Sequence, residues 1–217
     1  MCFSAQASFS VGAVLLGIGT LTWRAARDPG ARAFAAIPAL FGIQQLIEGV
    51  LWLSLSHDAP QLGVAMTYAF SFFSHLFWPV YVPLAVLLIE PSRPRQQWVF
   101  GCALVGLVVS SWLLWSMSEY GIVAQVHAQH IEYVSQPDLG PVTMLLYLTA
   151  TCISPLVSSH RAVRAFGALA LLSFAATYAI FTVWFISVWC YFAALLSAVV
   201  LMHFRARRAP ALKSSLG

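Results

Sequence analysis

Two ionisable residues interrupt long apolar runs, Glu48 and His75. A carboxyl and an imidazole can move a proton, share a polar ligand or hold a cation. Within hydrocarbon such a residue costs roughly 2.5 kcal/mol or more, so it marks either function or a tightly paired structural role. Gln44 lies one helical turn before Glu48 on the same face, with Gln45 beside it. Tyr68, Ser71, Phe72 and His75 make one stripe, and Pro79 and Pro83 follow it. Proline at 79 has no N–H for the carbonyl of residue 75, so the helix is expected to kink there with that carbonyl free beside the imidazole. Tyr147, Thr151 and Ser154 precede Pro155, which by the same logic frees the carbonyl of Thr151. Thr177, Tyr178 and Thr182, then Ser187, Cys190 and Tyr191, add further polar groups to apolar surroundings.

The elements that carry these residues are membrane spans. Of the 217 residues, 60% are hydrophobic and 8% charged, against about 25% charged in a soluble domain. Spans of roughly 20 apolar residues are expected over about 4–23, 33–55, 62–90, 98–117, 141–159, 163–183 and 186–204. The uncharged run Ala165 to Phe204 turns once, near 182–187, where Trp184 and Trp189 serve as interface anchors. No cleavable signal peptide is expected, because Arg24 and Arg27 follow the first apolar run instead of preceding it.

The charges orient the bundle. The eleven basic residues are Arg24, Arg27, Arg32, Arg93, Arg95, Arg161, Arg164, Arg205, Arg207, Arg208 and Lys213, and with seven spans all lie on one side. Positive residues mark the cytoplasmic side. The expected fold is therefore all-α, an integral membrane bundle of seven transmembrane helices, N-terminus outside and C-terminus cytoplasmic. Residues 1–204 form the transmembrane domain and 205–217 a basic cytoplasmic tail. The largest outer loop, about 118–140, holds a β-branched stretch, Ile122 to Val134, expected to form a small hairpin or cap. Glu90 is expected to pair with Arg93 at the inner face, and His160 and His203 to be interfacial.

In this topology Gln44, Glu48, His75, Tyr147, Tyr178 and Cys190 fall in the outer half or near the middle. They make an outward-opening polar pocket for a small-molecule or lipid ligand, or an outer half held by hydrogen bonds alone. Counted from the span ends, Glu48 lies about seven residues deep and His75 about thirteen, roughly two turns apart. A divalent metal held by Glu48 and His75 would need Cys190 or Cys2 as well, since two ligands are too few for a closed zinc site. Cys2 and Cys190 both fall at the outer surface, where they either join as a disulfide or leave Cys2 a free chelating thiol.

Met1-Cys2-Phe3-Ser4-Ala5, the stretch Phe41 to Gly49 (Phe-Gly-Ile-Gln-Gln-Leu-Ile-Glu-Gly) and Ser187-Val188-Trp189-Cys190 together resemble an uncharacterised family of short bacterial multi-span membrane proteins. The resemblance implies the bacterial inner membrane and no particular activity. Lys213, the one lysine, lies outside every span, which excludes a retinal Schiff base. No His-x-x-x-His pair exists to support a three-histidine membrane hydrolase. The expected partners are the bilayer and a small ligand, with no nucleic acid. A membrane-embedded hydrolase or redox enzyme using Glu48, His75 and a cysteine is the second reading, and a structural or assembly partner without chemistry the third.

Overall fold

The computed structural model describes residues 4–127, 130–135, 140–180, 189, 192, 196–202 and 204. Cys2, His203, most of the expected seventh span and the 205–217 tail lie outside the described residues. The described chain is helical apart from one hairpin. Five helices are long and apolar enough to cross a membrane: Ala5–Ala25 (α1), Pro29–Ser56 (α2), Pro60–Ile89, Arg93–Tyr120 and Arg161–Ala179, with Pro141–Leu156 a shorter apolar helix. Their outward faces leave Val14, Leu88, Val108, Leu145 and Leu172 more than half exposed, a surface suited to lipid and not to water.

Helix starts follow the prolines. Pro29, Pro60, Pro94 and Pro141 each sit in a first turn, where the missing N–H costs nothing. Helix α1 lies against α2 so closely that a Cβ on Gly19 would stand 2.5 Å from the Cβ of Ala39. The Thr22 hydroxyl donates across the same seam to the Ala35 carbonyl at 2.6 Å. Small residues that let backbones touch, joined by such side-chain bonds, are the ordinary glue of membrane helices.

The third crossing is one continuous helix in three parts: α3 (Pro60–Ser71), a π segment (Phe72–Phe77) and α4 (Trp78–Ile89). The fourth is α5 (Arg93–Tyr120). The fifth helix repeats the pattern with α6 (Pro141–Leu148), a π segment (Thr149–Ile153) and α7 (Ser154–Leu156), and α8 (Arg161–Ile180) follows. Both π segments end just before a proline, and this revises which carbonyls are freed. The π register reaches back five residues, so Pro79 deprives Ser74 of an N–H partner and Pro155 deprives Ala150. Each carbonyl finds a substitute: the Tyr147 hydroxyl donates to that of Ser74 and the Ser154 hydroxyl to that of Ala150, both at 2.5 Å. Gly106 of α5 fits between the two breaks, and a Cβ there would lie 1.9 Å from the Pro79 carbonyl oxygen and 3.3 Å from the Cβ of Ala150.

The expected hairpin is present as β1 (Ile122–His127) and β2 (His130–Ser135), antiparallel, with His127 and His130 as register partners. Its inner face, Ile122, Ala124, Ile131 and Tyr133, closes over Leu51, Trp52, Phe70 and Met117. At the other end of the bundle a Cβ on Gly30 would meet the Leu88 carbonyl at 2.8 Å, and the Glu90 carboxylate binds Ser158 and Ser159. The three segments bearing Arg24, Arg27, Arg32, Arg93, Arg95, Arg161 and Arg164 thus gather at one end.

Candidate functional site

One side-chain bond joins the two helices at the site. Trp78 Nε1 donates to Gln44 Oε1 at 2.7 Å, and its ring stacks on Phe41 at 3.9 Å. From that pin the hairpin end lies toward higher numbers on α2 and lower numbers on the third crossing, because Leu51 and Trp52 pack with Phe70 beneath the hairpin. Glu48 is four residues beyond Gln44 and His75 three beyond Trp78, but Trp78 and Gln44 meet at the tips of long side chains. The close contacts at the two ends of this helix pair, Gly63 against Ser54 and Gly30 against Leu88, put Glu48 and His75 five or six residues apart in depth, about 7.5–9 Å or roughly a turn and a half, near the spacing counted from the span ends.

The layer that they bound, roughly a turn and a half thick, is buried and polar. Gln44, Gln45, Glu48 and Ser71 are fully buried, and Ser74 and His75 nearly so. Gln45 Nε2 donates to Glu48 Oε2 at 3.3 Å. His75 Nδ1 meets the Ser74 hydroxyl at 2.8 Å, and Ser74 is the residue whose carbonyl Tyr147 holds. The remaining polar atoms are Gln44 Nε2, Gln45 Oε1, Ser71 Oγ and His75 Nε2, all buried and without a hydrogen-bond partner among the described residues. Native interiors rarely leave such atoms unsatisfied, and each costs about 1–3 kcal/mol.

A family model matches residues 1–215. The chain belongs to the family of unknown function DUF6629. No curated protein and no solved structure matches it.

Within this DUF6629 chain the six expected pocket residues separate. Gln44, Glu48 and His75 share the layer, and Tyr147 joins it through Ser74. Tyr178 faces outward, 47% exposed and stacked on Phe174 at 6.0 Å. Cys190 and Cys2 lie outside the described residues. No three histidine, cysteine or acidic residues among those described are grouped to hold a metal. Cys102 and Cys152 are buried free thiols.

Sequence reasoning missed Trp78 and Ser74, which tie the layer to its neighbours. A tryptophan in an apolar run reads as packing, although its N–H needs an acceptor once buried. Reasoning also misassigned Glu90. Its carboxylate accepts from the Ser92 and Ser159 amides and the Ser158 and Ser159 hydroxyls, and Arg93 takes no part in these bonds. Burial pushes that carboxyl up, but the hydrogen bonds outweigh it and hold it below its ordinary value. His160 caps the same corner, its Nε2 meeting the Ile89 carbonyl at 2.9 Å. Glu90 therefore fastens the end of the third crossing to the start of α8.

Proposed function

We propose that this is a seven-span protein of the bacterial inner membrane, N-terminus outside and C-terminus cytoplasmic, that binds a small polar ligand in the Glu48–His75 layer. The observation that carries the reading is the set of buried, unpartnered polar atoms on Gln44, Gln45, Ser71 and His75 around a fully buried carboxyl. The set mixes donors and acceptors, with the Gln44 amide N–H groups offered and the Gln45 carbonyl seeking a proton. A compact molecule with both functions complements it. A metal would draw on Glu48 and His75 together with Cys190 or Cys2, and remains the alternative occupant.

The test is a double-mutant cycle on Glu48→Gln and His75→Ala, read by thermal stability in nanodiscs and by native mass spectrometry for a retained small molecule. A shared ligand makes the two losses couple by more than about 0.5 kcal/mol, whereas independent sites add. Additive losses with no retained mass would reduce the layer to packing.

A further inference from the structure

A second cavity lies at the hairpin end, separate from the polar layer. It is an open cleft of about 410 Å³ between the last turn of α2, the turn at 57–59, the start of α3 and β1. Ser54 in its wall is six residues beyond Glu48, about 9 Å along α2. The cleft is mostly apolar, walled by Leu55, Val64 and Val123, with Asp58, Ser54 and Thr67 as its side-chain polar groups.

All three of those groups are hydrogen-bond acceptors toward a ligand. Ser54 has already given its proton to the Leu51 carbonyl and Thr67 its own to the Gly63 carbonyl, each at 2.7 Å. Asp58 contributes a carboxylate. Pro60, where the α3 terminus borders the cleft, brings no N–H. An acceptor-only set inside apolar walls complements a donor-rich cation on an apolar body. The surrounding field agrees, because the described arginines gather at the opposite end while Asp58, Glu119 and Glu132 border this one.

The backbone at Asp58 adds an independent sign. It ends α2 with φ at 48°, and the Ala59 N–H closes onto the Ser54 carbonyl at 3.1 Å. That position of a helix stop favours glycine. A carboxylate stands there at some cost to the turn.

We propose that this cleft binds a primary ammonium group carried on an apolar body, either a free aliphatic amine or the ethanolamine headgroup of a lipid. The full-length protein is placed in nanodiscs of phosphatidylglycerol and titrated with octylamine or octanoate, and bound mass is counted by native mass spectrometry. Octylamine binds one to one and octanoate does not. Asp58→Asn weakens octylamine roughly tenfold, as expected for loss of one charge-assisted contact. Gly63→Leu fills the cleft and blocks it. Asp58→Gly raises the melting temperature by relaxing the turn yet loses the amine, which a purely structural Asp58 would not do.

A parallel set of nanodiscs with equal phosphatidylethanolamine and phosphatidylglycerol identifies the source. Selective retention of phosphatidylethanolamine by wild type but not by Asp58→Asn assigns the lipid, and octylamine binding without that selectivity assigns a free amine. Equal octylamine binding by wild type and Asp58→Asn, or equal binding of octanoate, overturns the proposal.

Discussion

Ser74 joins two helices and the imidazole through its own two oxygens: its carbonyl accepts from Tyr147 of α6 and its hydroxyl meets His75, its neighbour on the same helix. Removing the Tyr147 hydroxyl leaves that carbonyl alone, so Tyr147→Phe should destabilise the protein by about 1 kcal/mol, within the range of interhelical bonds in membranes. In a Pro79→Ala background residue 79 supplies the missing N–H, and Tyr147→Phe should then cost much less. Thermal unfolding in nanodiscs of the four proteins measures the coupling, and equal costs in both backgrounds would show that proline does not create the need for Tyr147. Glu90 gives a pH signature. A carboxyl held below its ordinary 4.5 stabilises the fold fully above about pH 5 and progressively less as pH falls through the lowered value. Wild type should therefore lose stability on acidification, whereas Glu90→Gln begins lower and changes less, a difference a melting series from pH 7 to pH 3 would register. At this scale the ionisable residues were legible, since Glu48 and His75 stand out in apolar runs. The Trp78–Gln44 bond between their helices was not, because nothing local marks a tryptophan as the partner of a glutamine 34 residues away.

The two π segments meet across α5, and Gly106 is the residue that lets them. Gly106→Ala would drive a methyl to 1.9 Å from the Pro79 carbonyl oxygen, so backbone must move. A loss of at least about 2 kcal/mol is expected, as for other overpacked sites. Gly101 on the same helix has nothing within 4 Å of its would-be Cβ. Gly101→Ala should be neutral or stabilising by up to about 1 kcal/mol through helix propensity. Comparable melting temperatures for the two variants would mean that α5 does not press on the breaks as described. Pro79 and Pro155 announced both breaks from sequence, and the β-branched run from Ile122 to Val134 announced the hairpin. The choice of carbonyl was beyond sequence, because a single inserted residue shifts the count from four to five and local composition does not encode it. The hairpin's placement over Leu51, Trp52 and Phe70 likewise depends on contacts far apart in the chain.

For the molecule as a whole, the distribution of charge does more than any single motif. The arginines after α1, after α4 and at the start of α8 meet at one end, and the hairpin, Asp58 and Glu119 lie at the other. Composition alone made this legible, since 8% charge confined to helix ends fits few arrangements other than a bundle in lipid. The polar layer takes its meaning from that arrangement: in the proposed orientation, with the arginine end cytoplasmic, Glu48 lies toward the outer face beneath the hairpin and His75 near the middle of its helix. The most direct test is a pair of topology reporters, one inserted at Pro137 and one fused after Lys213. The proposed seven crossings predict an external signal from Pro137 and a cytoplasmic one from Lys213. Both reporters on the same side would contradict them.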